Sequence, residues 1–242
     1  MKTKIILLVL CLFSFKAFAF KFSPMSQTIN FRPNENTTLF YLENDSELPI
    51  AIQVSIATRS MDPNGLEKNT DQNIKNDFSF YPSQMIIPSN EKRSVKVTYL
   101  GKEIPIKETA YRLIAEQLPV DLEKNTKNKK SIKVLLRYVA ALYVTTEKMQ
   151  SDVNFKSLAV DEKKVSLTIE NKGSKHQVLS NLNLKFLDDK SKKETLLTAE
   201  ELKGMTGENV LAMSERVFIF ERQDKFKNIN ASDKVKISFD KD

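Results

Sequence analysis

The sequence predicts an all-β protein of two β-sandwich domains behind a removable export segment. Three observations carry this. Short runs of alternating apolar and polar residues recur with turn residues between them, and long amphipathic helical patterns are absent. The 242 residues also leave room, once the first 19 are set aside, for two sandwiches of about 100 residues each.

Residues 1–19 have the three parts of a secretory signal peptide. Lys2 and Lys4 give a positive start, Ile5 to Phe15 an apolar run, and Ala17-Phe18-Ala19 a small-x-small site, so cleavage is expected before Phe20. Lys16 stops the apolar run short of the roughly 20 residues a spanning helix needs, so the mature chain is expected to hold no membrane span. Cys11 leaves with this segment, and an exported chain without disulfides depends on core burial for stability. Removing Lys2, Lys4 and Lys16 takes the 38 basic residues to 35 against 31 acidic ones, a formal +4. That mild, dispersed charge lacks the basic stripe interleaved with aromatics that nucleic-acid binding uses.

The strands follow in order. Thr37 to Leu42 ends at the turn-forming Asn44-Asp45. In Pro49 to Thr58, Ile50, Ile52, Val54 and Ile56 share one face, with Ala51, Gln53 and Ser55 on the other. The polar stretch 59–77 contains Pro-Asn-Gly and reads as a loop. Phe78 to Ile87 is broken by Pro82, Lys92 to Leu100 alternates, and Thr109 to Leu118 puts Tyr111, Leu113, Ala115 and Gln117 on one side. A charged loop at 119–131 precedes the longest apolar run, Ile132 to Val144, where Val134, Val139 and Val144 with Tyr138 and Tyr143 favour a strand over a buried helix. The polar stretch 145–152 reads as a link between domains 20–146 and 147–242. Beyond it lie Val153 to Ala159, Val165 to Glu170, Val178 to Leu187, Val217 to Glu221 and Val235 to Phe239, with room for one helical turn within 196–206. Strands at this spacing suggest sandwiches of immunoglobulin type.

Catalytic chemistry has little to work with. One His and one Cys exclude a His/Cys zinc site and a Cys–His nucleophile pair, and no Gly-rich phosphate loop exists among five glycines. No enzyme activity, cofactor or metal is expected. His176 follows the turn-forming Gly173-Ser174-Lys175 with no acid patterned near it and reads as a surface residue. Asn36-Thr37-Thr38, Asn44-Asp45-Ser46 and Asn230-Ala231-Ser232 fit the glycosylation sequon, a pattern that often arises by chance.

Read in order, these segments resemble the periplasmic chaperones of the chaperone–usher pilus pathway, the PapD-like family. Pro82 through Ile86-Ile87-Pro88 with Arg93-Ser94-Val95-Lys96-Val97 resembles the family's Pro-x-x-x-hydrophobic-x-Pro turn and following strand. Tyr111-Arg112-Leu113 leading to Leu118-Pro119 resembles its next strand, Ile132 to Val144 its edge strand, and Val165 to Gly173 a second-domain strand ending in Asn-x-Gly. The resemblance implies pilin or fimbrial subunits and an outer-membrane usher as partners, in the periplasm. The Arg and Lys that anchor a subunit's C-terminal carboxylate in well-studied members fall at Thr28 and Ala141, so the chain resembles a divergent branch, archaic or alternative.

The edge strand is the expected binding element. A pilin lacking one strand leaves an apolar groove and unpaired backbone groups, which a lent strand satisfies. Ile132, Val134, Leu136 and Tyr138 share one parity and are the candidate donors. Alternation alone fits equally well with these residues facing the chain's own core. Arg112 and Arg137 are candidate carboxylate anchors, Arg137 lying about 13 Å along the strand from Ala141. An exposed edge also allows a capped dimer when no client is present. The rival reading is a secreted structural or adhesive sandwich that never lends a strand.

Overall fold

Alternation in the sequence becomes strands wherever one parity can be buried. In the computed structural model, residues 20–32, 36–70, 74–119, 134–188 and 191–240 are described; residues 1–19, read as a signal peptide, and Ile132 lie outside them. The first sandwich contains β1 (Phe20–Ser23), β2 (Ser26–Asn30), β3 (Thr37–Asn44), β4 (Ile50–Met61), β5 (Glu67–Thr70), β6 (Phe78–Tyr81), β7 (Gln84–Ile87), β8 (Lys92–Tyr99), β9 (Thr109–Gln117) and β10 (Arg137–Thr145). The second contains β11 (Val153–Val160), β12 (Lys164–Asn171), β13 (Gln177–Val178), β14 (Ser180–Leu187), β15 (Glu194–Leu197), β16 (Asn209–Val210), β17 (Ser214–Glu221) and β18 (Lys234–Asp240).

In the first sandwich a sheet ordered β1-β3-β8-β6 faces one ordered β2-β10-β9-β4-β5, with β7 also paired to β4. Ile52, Val54 and Ile56 from β4 meet Phe40 and Leu42 from β3 and Val95 and Val97 from β8, all buried. Such side chains contribute roughly 1.5–3 kcal/mol each on burial. β10 is covered on one side by β9, from Arg137↔Glu116 to Val144↔Thr109, and on the other by parallel β2 only from Ala141↔Ser26 to Thr145↔Asn30. The second sandwich pairs β11-β12-β17 with β15-β14-β18 around Leu167, Ile169, Leu184 and Phe186. The two-sandwich, all-β expectation is met.

Each sandwich closes one end with the same device. Asn44 ends β3, fully buried; its amide donates to the carbonyls of Leu48 (2.8 Å), Ile87 (3.0 Å) and Pro88 (3.0 Å), and its oxygen accepts the Ser46 N–H (3.0 Å) and hydroxyl. Asn171 ends β12 and serves Lys175, Val210 and Leu211 likewise, its oxygen accepting the Asp152 and Gly173 N–H groups. Asn44 is therefore no glycosylation site, because its amide is enclosed and committed.

Three expectations need correction. Of the stretch 59–77, read as a loop, residues 59–70 belong to the β4–β5 hairpin, with Met61 opposite Glu67. Among the described residues the edge strand starts at Arg137, three residues after the described part of the expected run begins at Val134, and Ile132 lies outside the described residues. His176 is buried against Glu108 instead of exposed.

Candidate functional site

The unpaired half of β10 is the feature that sets this sheet apart. Leu136 accepts the Gln117 N–H at 2.9 Å, so backbone groups of even-numbered β10 residues point towards β9 and those of odd-numbered ones point away. From Ala141 onward the odd groups meet the β2 segment, beginning with the Ala141 N–H on the Met25 carbonyl at 2.9 Å. Among the described residues, the outward groups of Arg137 and Val139 meet no backbone partner. A strand edge of this kind is a template for another strand.

The side chains of the same segment divide sharply. Ala140, Leu142 and Val144 are fully buried in the first sandwich. Tyr138 packs its ring edge-on against Phe20, centroids 4.8 Å apart, and Leu136 is half-buried against the same core. Val134, two residues earlier on the same parity, is 74% exposed, and Leu135 is 43% exposed. Tyr138, Leu136 and Val134 thus follow the side continuous with the sandwich interior, occupied by the chain's own core at Tyr138 and Leu136 and open at Val134.

The opposite face of the sheet carries the cations. Directly paired residues share a face, which places Thr28 with Tyr143, and Ala141 with Arg112, away from the first core. Arg112 grips Glu67 as a fork, Nε on Oε2 at 3.1 Å and Nη2 on Oε1. Arg59, missed in the sequence because it opens the stretch read as a loop, donates Nε to Glu67 Oε1 (2.8 Å) and Nη1 to the Tyr143 hydroxyl (2.9 Å). Burial pushes the Glu67 carboxyl up, but the Arg112 hydrogen bonds and both guanidinium charges outweigh it and hold the group below the usual carboxylate range. Burial raises the Tyr143 phenol, and its hydroxyl accepts from Arg59 and from Asn209 Nδ2 (2.8 Å). Arg137 is exposed, opposite Glu116, and makes no ion pair among the described residues.

This face is also where the second sandwich docks. The Tyr143 ring stacks on His176 at 3.9 Å, and His176 Nδ1 meets Glu108 Oε1 at 2.6 Å, a buried contact joining residues 68 positions apart. The hairpin tip is held from the other side: the Val217 N–H donates to the Pro63 carbonyl (2.7 Å), and buried Arg216 reaches the Met61 sulfur (3.0 Å) and Glu208 (3.0 Å). Gly65 makes this approach possible, with φ of +87° and no room for a Cβ, which would sit 2.5 Å from Arg216 Nη2. A hollow of about 840 Å³ lined by Phe31, Tyr99, Leu100 and Ile104 lies at the other end of β10 from Val134. Among the described residues no three metal-ligating side chains gather, and no helix is long and apolar enough to cross a membrane.

Comparison with known proteins completes the picture. Residues 22–147, more than half of the chain, match the family model described as pili and flagellar-assembly chaperone, PapD N-terminal domain. Among curated proteins, none matches the chain. Among solved structures, the class 5 fimbriae chaperone CfaA is similar at 16% identity, with 92% of this chain and 100% of that chain covered and a TM-score of 0.59. A chain of the CsuC–CsuE chaperone–tip adhesion subunit complex, from the archaic Csu pili of Acinetobacter baumannii, is similar at 16% identity, coverage of 83% and 89%, and TM-score 0.55. A chain of the SafA pilin–SafB chaperone complex of Salmonella enterica gives 13%, 84% and 85%, and 0.54. At these identities the structural likeness establishes the fold, and the family match establishes descent. The chain therefore belongs to the pili and flagellar-assembly chaperones with a PapD N-terminal domain, a non-enzymatic family.

Proposed function

We propose that this chaperone is exported to the periplasm by cleavage after residue 19, with domains 20–146 and 147–242, and that it binds pilin-like subunits by lending its edge strand and delivers them to an outer-membrane usher. The observation that carries this is the open edge of β10 at Arg137 and Val139, continued by exposed Val134 and Leu135. A client missing one strand gains hydrogen bonds from that edge, and its groove receives side chains from the Ile132 and Val134 end of that parity, Leu136 and Tyr138 being held by the chaperone's own core. The solved complexes of SafA pilin with SafB chaperone and of CsuC with CsuE support the partner class. With clients absent, two such edges can cap each other as a dimer.

For the client's carboxylate, Arg137 is the cation of the edge strand that stands open in the free chain, whereas Arg112 is held by Glu67 and opens to a carboxylate only once Glu67 is displaced. The rival reading, a structural or adhesive sandwich, leaves this edge without a use. The test is periplasmic co-expression with the adjacent pilin and pull-down by wild type and Val134→Asp. Val134 makes the cleaner probe because Leu136 is part of the chaperone's own packing. Loss of one buried valine costs about 1.5–3 kcal/mol, roughly 10- to 150-fold in affinity. Equal capture by both proteins overturns the strand-lending reading.

A further inference from the structure

We infer that Arg59 and Arg112 form a carboxylate receptor that the free chaperone fills with its own Glu67, so that an incoming carboxylate enters by exchange. The inference rests on the proposed client-binding function only in naming the client's C-terminus as that carboxylate. The receptor is built: Arg112 presents a fork, Arg59 a second guanidinium on the same oxygen, and their side chains are 16% and 5% exposed. Forked guanidinium geometry matches a carboxylate. The occupant comes from the margin of the sheet, since Glu67 begins four-residue β5 and remains 25% exposed.

Two further observations point to a replaceable occupant. The Tyr143 hydroxyl, buried at the rim, accepts two hydrogen bonds, and its own proton has no acceptor among the described residues. Arg112 lies directly across from Ala141, whose small side chain keeps the guanidinium beside the edge strand. Exchange also respects the electrostatics, because one carboxylate for another leaves the charge of the site unchanged, whereas adding a second would place two anions together. The hairpin that carries Glu67 is the one whose tip the second sandwich holds through Pro63 and Met61. Release of Glu67 therefore loosens a segment that spans both domains.

The test uses the mature chaperone alone. Arginine Nε–H signals of Arg59 and Arg112, assigned through Arg59→Lys and Arg112→Lys, are followed by NMR while acetate or its neutral isostere acetamide is added. In Glu67→Gln both signals should shift saturably with acetate, at concentrations about tenfold or more below those required by wild type, and remain still with acetamide. Unmoved signals in Glu67→Gln, or the same acetate dependence with and without Glu67, overturn the inference. Because no client is used, that failure leaves the edge-strand reading standing, while loss of the Val134 effect in pull-downs leaves the receptor standing.

Discussion

Replacing Asn44 by Ala should weaken the first sandwich by about 3–4 kcal/mol, taking a net of about 1 kcal/mol for each of the two hydrogens that its amide shares among three carbonyls plus about 1–2 kcal/mol for the carbonyls left stranded. The structure sets the scale. One fully buried amide makes five hydrogen bonds, three to the carbonyls of Leu48, Ile87 and Pro88 and two from Ser46, and so joins the end of β3 to the end of β7. Alanine leaves the Ile87 carbonyl with no side-chain donor in a buried position. The assay follows from composition: there is no Trp, and all six Tyr (41, 81, 99, 111, 138 and 143) lie in the first sandwich. Tyrosine fluorescence during urea unfolding therefore reports that sandwich. With an m-value of about 2 kcal/mol/M, the midpoint should fall by about 1.5–2 M. Asn44→Asp keeps the shape but removes the donors and sets a charge beside three carbonyl oxygens, so it should fall at least as far. A shift below about 0.5 M in either variant would refute the reasoning, because the bonds would then be worth no more than their exchange with water.

Three other outcomes are expected. Glu67 is held below its ordinary value of 4.5, so the stability it contributes is present above that pH and is lost as pH falls through the depressed value; urea midpoints between about pH 3 and 5 should slope less steeply in Glu67→Gln than in wild type, the remaining slope coming from other depressed carboxyls such as Asp45. Gly65→Ala should cost about 2–3 kcal/mol, through positive φ and displacement of buried Arg216, and lower the thermal midpoint by about 4–12 °C. Leu136→Asp should destabilise the tyrosine-bearing sandwich by about 2–3 kcal/mol while Val134→Asp stays within about 0.5 kcal/mol, read by the same urea curves.

The strands with a buried face were legible, because alternation is what burial on one side of a pleat demands. Ile50, Ile52, Val54 and Ile56 line the first core as their spacing implied. Phe78 to Ile87 shows the limit: Pro82 marks a crossing, β6 pairing with β8 in one sheet and β7 with β4 in the other, and a sequence break does not reveal which sheet resumes. The segment Glu67–Thr70 has no apolar alternation, since its order comes from β4 beside it and from the clamp on Glu67. The cleft was the least legible part. Arg59, Glu67, Arg112 and Tyr143 come from four separate strands, and His176 finds its acid 68 positions away, distances over which local patterns carry no signal.

The N-terminal segment joins both sheets of its sandwich, β1 running antiparallel to β3 and β2 parallel to β10. A chain made from its N-terminus presents Ser26 to Asn30 long before Ala141 to Thr145, the strand they pair with, exists. Non-local pairing of this span is slow, since the intervening loop must be closed before any contact rewards it. β2 therefore waits through synthesis with its ladder unfilled, and Ile29, buried in the finished core, stays wet until the last strand of the domain arrives. The chaperone's own first sandwich thus stays one strand short until the end of the domain, and closes that gap with a strand of its own.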